Sequence, residues 1–92
     1  MAIRSLIEVF DMYYVYILAN ATGTVVYTGI TNDIDRRLMA HNAGTASKYT
    51  RVRRPVVMVY HEEAATKGDA LRRELQIKSM SRQQKMDLLN NK

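Results

Sequence analysis

Apolar residues recur along this chain with two different periods, and the places where the period changes mark its elements. Ile3, Leu6, Ile7 and Phe10 fall at helical spacing. Residues 1–12 therefore read as a helical extension, packed on the rest of the domain or on a second copy of it. Met12 opens a segment of different character. Tyr13 to Leu18 is aromatic and β-branched, a strand pattern, and Thr24 to Thr28 reads the same way. Asn20-Ala21-Thr22-Gly23 between them has turn composition, so the two strands should form an antiparallel hairpin. If those four residues are the loop, Ala19 opposes Thr24 and Tyr16 lies directly opposite Tyr27, both on one face of the sheet.

Asn32 or Thr31 is placed to cap a helix from about Asp33 to His41, stopped by Asn42 and Gly44. Its inward stripe holds Ile34, Leu38 and His41, with Arg37 among them. Residues 43–54 read as a basic loop. Pro55 then sets up a third strand, Val56 to Tyr60, whose nearly unbroken apolar run is the pattern of a central strand covered on both faces. Thr66-x-x-Asp69 has the capping-box pattern and opens a second helix through about Lys78, with Ala70, Leu71, Glu74, Ile77 and Lys78 on one stripe. Ser81-x-x-Gln84 repeats the pattern before a short third helix carrying Met86 and Leu89. The order ββαβαα predicts a single-domain α/β fold, a small three-stranded antiparallel sheet flanked by helices.

Composition narrows the function. A chain of 92 residues, 47% hydrophobic, organises one modest core. No apolar run approaches the roughly 20 residues that span a bilayer, so no membrane role is expected. Arg4 and Glu8 interrupt the opening stretch, which does not read as a signal peptide. Without cysteine there is neither a disulfide framework nor a thiolate metal site, and a cytoplasmic setting is expected. The net charge of +5 matters through its distribution. Arg36, Arg37, Lys48, Arg51, Arg53 and Arg54 fall in one stretch that contains no acid. Such a block attracts polyanions, but charge alone favours nucleic acid only slightly over a solvated basic face or attraction to acidic lipid, and a ribosome-associated protein would look similar.

Two residues break the apolar stripes. Arg37 lies with Ile34, Leu38 and His41, and Glu74 with Leu71 and Ile77. A charge facing a core is costly unless it is paired or functional. Arg37 and Glu74 pairing with each other, Glu74 bonding Lys78 one turn on, and a shared functional site all satisfy that requirement.

The order of residues resembles the GIY-YIG nuclease superfamily. Tyr14-Val15-Tyr16 is followed, after an eleven-residue step, by Tyr27-Thr28-Gly29, then Arg37, His41 and a downstream Glu74. The likeness runs from about Tyr13 to Lys85. The phrases YVYIL, YTGITNDIDRRLMAHN, KYTRVRRPVVMVYHE and LRRELQIK are similar to the small, single-domain bacterial branch. The resemblance implies a divalent-metal-dependent endonuclease acting on nucleic acid, expected to be DNA and to be cut structure-selectively. Tyr16, Tyr27, Arg37, His41 and Glu74 would be its catalytic set, with Glu74 holding a single Mg²⁺ or Mn²⁺. Gly29 would leave space for backbone or phosphate to approach. Lys48, Tyr49, Thr50, Arg51, Arg53 and Arg54 would contact phosphate.

These residue types suit hydrolysis of a phosphodiester. Arg37 can bond the non-bridging oxygens as charge builds. A phenol of pKa about 10 is a poor base at neutral pH unless cations lower it, so Tyr16, Tyr27 and His41 compete for proton transfer. The chain departs from the family pattern at Tyr14 and Thr28, where the first glycine and second isoleucine would stand. It also has Met86 where many active members carry asparagine, with Lys78 or Lys85 as candidates to fill that space. A catalytically inactive nucleic-acid-binding module on the same scaffold is the alternative, and a homodimeric interaction protein is a third reading. Larger relatives carry an extra DNA-binding domain and none is expected here, so substrate choice would fall to the basic loop, a homodimer or a protein partner.

Overall fold

The computed structural model describes residues 12–91. The helical extension expected over residues 1–12 lies, apart from Met12, outside the described residues. The elements are β1 (Tyr13–Asn20), β2 (Val25–Thr31), α1 (Ile34–Ala43), the single turn α2 (Lys48–Arg51), β3 (Val56–Ala64), α3 (Lys67–Lys78) and α4 (Arg82–Asn90). The strands form one antiparallel sheet in the order β2-β1-β3. This is the three-stranded α/β fold expected, with α2 added inside the basic loop.

The central strand is β1, not β3 as its apolar run suggested. Val15 to Ala19 are all buried, whereas β3 exposes Val57 by 51%. An edge strand has one neighbour and can turn aliphatic side chains toward water. An unbroken apolar run therefore identifies a central strand only when both faces find cover.

The hairpin register also differs from the expected one. Asn20 N–H donates to the Thr24 carbonyl and Gly23 N–H to the Asn20 carbonyl, closing a three-residue loop, Ala21–Gly23. The Asn20 side-chain oxygen accepts from Thr22 N–H, Thr22 Oγ1 and Thr24 N–H, and Gly23 takes φ +87°. A bulge between Leu18 and Ala19 adds a second shift. Tyr16 consequently pairs with Gly29, and Leu18 with Tyr27. The two slips together move the ladder by two residues, and side chains alternate with a period of two, so Tyr16 and Tyr27 keep a common face.

Local capping fixes the helices. Asp33, rather than Asn32 or Thr31, is the N-cap of α1, its carboxylate accepting from Arg36 N–H. Thr31 acts one step earlier, its hydroxyl accepting from Asp33 N–H at 3.0 Å. Gly44, at φ +84°, ends α1. Thr66 caps α3, and Ser81 with Gln84 forms a reciprocal capping box on α4. One face of the sheet buries Val15, Ile17 and Tyr60 with Ala70 and Ile77 of α3, and Leu88 and Leu89 of α4 close over it. The other face buries Tyr16, Leu18 and Val56 with Tyr27, Met58 and Leu38 of α1.

Candidate functional site

On the α1 face, four of the five expected site residues come together. Tyr16 and His41 are both fully buried, and Tyr16 Oη is 2.8 Å from His41 Nε2. The Tyr27 ring centroid lies 6.1 Å from that of Tyr16 and 4.7 Å from that of His41. Gly29 lies beneath the two phenols, because a Cβ there would meet Tyr16 Oη at 2.8 Å and Tyr27 Cε2 at 2.8 Å. The space that glycine leaves is thus filled by aromatic rings, not held open for phosphate.

Arg37 completes the cluster from α1, one turn before His41. The Tyr16 hydroxyl as hydrogen-bonding neighbour, and the Tyr27 hydroxyl beside it, hold its pKa above the ordinary arginine value against the opposing effect of burial. Yet its Nε is buried with no hydrogen-bond partner among the described residues. Arg37 also lines a polar cavity of about 370 Å³ with Thr31, Asn32, Asp33, Arg36 and Thr45. Burial lowers the pKa of His41, and the Arg37 charge lowers it further, so its imidazole stays neutral. Burial raises the Tyr16 phenol above its usual range, although the hydrogen bonding of Arg37 opposes this. Tyr16 therefore keeps its proton in the free protein.

Glu74 stands on α3, in the other layer, and makes no hydrogen bond or ion pair with the other four residues. Its carboxylate is felt at Tyr16, where it helps to raise the phenol pKa. It does not pair with Arg37. It bonds Lys78 Nζ at 3.2 Å, with the Glu74 side chain 16% and the Lys78 side chain 52% exposed. No group of three or more His, Asp or Glu side chains among the described residues is arranged to hold a metal. One nearly buried carboxylate with hard oxygen donors suits Mg²⁺ or Mn²⁺ bound mainly by water and substrate phosphate, and Lys78 is exposed enough to swing aside. Met86 lines a separate cavity with Thr22, Val25, Arg82 and Lys85 beside the hairpin loop.

The basic loop is more ordered than its composition suggested. Ser47 caps α2 by accepting from Tyr49 and Thr50 N–H. The Arg53 guanidinium lies 3.5 Å over the Tyr49 ring and donates to the Tyr49 carbonyl at 2.8 Å. Arg54 Nε donates to the Arg51 carbonyl at 2.7 Å. Lys48, Tyr49, Arg51 and Arg54 are exposed, whereas Thr50 is fully buried and bonds His41 Nδ1 at 2.8 Å. Thr50 is therefore corrected from a phosphate-contacting residue to a partner of His41. Its helical neighbours point outward because α2 packs only one side chain per turn against α1.

Sequence reasoning missed three arrangements. Thr50 gave no signal, since a threonine in a basic loop reads as polar surface. Asn42 does more than end a helix, because its amide bonds both Val56 N–H and the Val56 carbonyl and ties α1 to the start of β3. On the opposite face, Glu62 accepts from Tyr60 Oη at 2.5 Å and from Arg73 Nε at 2.7 Å. Arg73 is thus paired with Glu62, and Arg72 with Asp69.

A hairpin, a capped helix bearing arginine and histidine, and two tyrosines converging over a glycine define a GIY-YIG-type domain. The GIY-YIG catalytic domain profile matches residues 12–87, and the chain belongs to this family. It is 46% identical over 80 residues to a UPF0213 protein of Staphylococcus saprophyticus, covering 87% of this chain and 96% of that one. A UPF0213 protein of Staphylococcus haemolyticus is 45% identical over 80 residues, with the same coverage. The solution NMR structure of a UPF0213 protein from Bacillus halodurans superposes with a TM-score of 0.57 at 41% identity, covering 88% of this chain and 85% of that one. No described helix is long and apolar enough to cross a membrane.

Proposed function

We propose that this chain is a divalent-metal-dependent endonuclease that hydrolyses phosphodiester bonds in DNA, selecting its substrate by structure. The observation that carries the reading is the buried, partnerless Nε of Arg37, set beside two phenols and a polar cavity. A buried guanidinium donor without an acceptor is costly, and a phosphate oxygen is the partner its geometry suits best. Arg37 binds the non-bridging oxygens and stabilises the charge that accumulates on them in the transition state. Tyr27, only partly buried, orients the attacking water, while Tyr16 and His41 behind it form a hydrogen-bonded proton route. Glu74 would hold Mg²⁺ or Mn²⁺, which supplies Lewis-acid polarisation of the phosphate and of bound water. Lys48 and Arg51, both exposed, draw the polyanion toward the cavity.

A second reading, a binding module without turnover, is favoured by two observations: Lys78 already neutralises Glu74, and Met86 stands where the family resemblance puts asparagine. A cleavage screen in Mg²⁺ and Mn²⁺ on single-stranded, duplex, flapped and branched DNA separates the two. Wild type should cut at least one substrate, and Glu74→Gln should bind it but leave it intact. If wild type binds without cutting more than Glu74→Gln, the binding module is correct and the nuclease reading fails.

A further inference from the structure

Three hydroxyl and imidazole groups form a buried chain in which every hydrogen has to be assigned. Tyr16 Oη lies 2.8 Å from His41 Nε2, His41 Nδ1 lies 2.8 Å from Thr50 Oγ1, and Thr50 Oγ1 lies 3.4 Å from the Ser47 carbonyl. All three side chains are fully buried, so their hydrogen bonds have to be made inside the fold. Two assignments exist for a neutral imidazole.

In the first, Thr50 donates to His41 Nδ1, and Nε2–H donates to Tyr16. The Tyr16 hydroxyl hydrogen then needs another acceptor, yet among the described residues His41 is the one hydrogen-bond partner of Tyr16 Oη, and the neighbouring Arg37 only donates. In the second, Thr50 donates to the Ser47 carbonyl, His41 Nδ1–H donates to Thr50, and Tyr16 donates to Nε2. Every hydrogen finds an acceptor, and the Tyr16 oxygen stays free to accept from Arg37. An unsatisfied buried hydroxyl is disfavoured, so the second arrangement prevails.

From this geometry we infer that Thr50 is a positioning residue: anchored on the Ser47 carbonyl, it fixes His41 in the Nδ1–H tautomer and turns the bare Nε2 toward the Tyr16 hydroxyl. The Tyr16 proton then has one route out of the buried site. The O–H bond breaks as an N–H bond forms at Nε2, leaving a phenolate and a doubly protonated imidazolium whose Nδ1–H remains on Thr50. The histidine is supported by a neutral hydroxyl, with no carboxylate in the chain of bonds. The functional consequence rests on the nuclease reading, whereas the tautomer does not.

The test uses the uniformly ¹⁵N-labelled full chain and long-range ¹H–¹⁵N correlations of the His41 ring near neutral pH. Wild type and Thr50→Ser should show a protonated Nδ1 and a bare Nε2, because serine keeps the hydroxyl. Thr50→Val, nearly isosteric, should lose this pattern and populate Nε2–H while retaining a dispersed, folded amide spectrum. In a metal-dependent cleavage assay Thr50→Ser should stay near wild type, and Thr50→Val should fall in kcat by on the order of 10²-fold with KM little changed. Nε2–H in wild type, or wild-type nitrogen shifts in a folded Thr50→Val, would overturn the inference. If Thr50→Val does not fold, the wild-type and Thr50→Ser shifts still decide it. Expected ring shifts without cleavage in any variant would uphold the positioning role and sink the nuclease reading alone.

Discussion

The ring of Tyr16 lies across Gly29, its partner in the β1–β2 ladder, with no room for a methyl group between them. An added Cβ would come within 2.8 Å of both Tyr16 Oη and Tyr27 Cε2. Gly29→Ala should therefore destabilise the fold by about 1–3 kcal/mol, the usual range for overpacking a tight core. It should also separate the two phenols and depress any cleavage more than nucleic-acid binding. Urea denaturation measures the first effect, and an unchanged midpoint would mean that the rings can yield.

Arg37 should be the anion sensor of the domain. Inorganic phosphate should raise the melting temperature of wild type, by about 2.7 kcal/mol of added stability at a hundredfold excess over its dissociation constant. Arg37→Met should abolish that response. Without phosphate the methionine variant should be as stable as wild type or more so, because a buried partnerless donor has been replaced by apolar volume. A phosphate response that survives in Arg37→Met would place the anion elsewhere.

The basic loop should bind unevenly. Lys48→Ala and Arg51→Ala should each lower the log–log salt slope on duplex DNA by about 0.9 if each contacts one phosphate. Arg53→Ala should change it less, since that guanidinium is stacked on Tyr49 and bonded to its carbonyl. Fluorescence anisotropy across a salt series distinguishes these. Equal losses for all three would show that Arg53 leaves Tyr49 on binding.

Stability should fall with acidity in two separate windows. Buried His41 has a pKa below its unfolded value of about 6.5, so the unfolded chain binds the proton first. The stability it supports is complete above that value, is lost as pH falls from there, and levels off below the folded pKa. Burial alone would raise Glu62, but bonds from Arg73 and Tyr60 hold its pKa below the usual carboxylate value. Its contribution is present above about 4.3 and is lost as pH falls through its lower folded pKa. Denaturation curves at successive pH values should show both slopes. His41→Gln should remove only the upper one, and Glu62→Gln only the lower.

Much of the site was legible because charge on an apolar stripe is a local signal. Arg37 and Glu74 stood out against Ile34, Leu38, Leu71 and Ile77 before any fold was known. The tyrosine pair was legible for a weaker reason. Its expected direct opposition was wrong by two residues, and it survived because an even slip preserves the face of a strand. Thr50 was not legible, since nothing in Lys48-Tyr49-Thr50-Arg51 distinguishes the one side chain that turns inward.

The sequence by itself determined the three strands, the three longer helices, the caps at Thr66 and Ser81 and the place of the hairpin turn, because each depends on neighbours within a few residues. The tertiary structure alone decided which strand is central, because that depends on which faces other layers cover. It also decided that Glu74 bonds Lys78 rather than Arg37, and that Thr50 reaches His41 nine residues away. Those outcomes depend on how the layers close together, and no local periodicity records that.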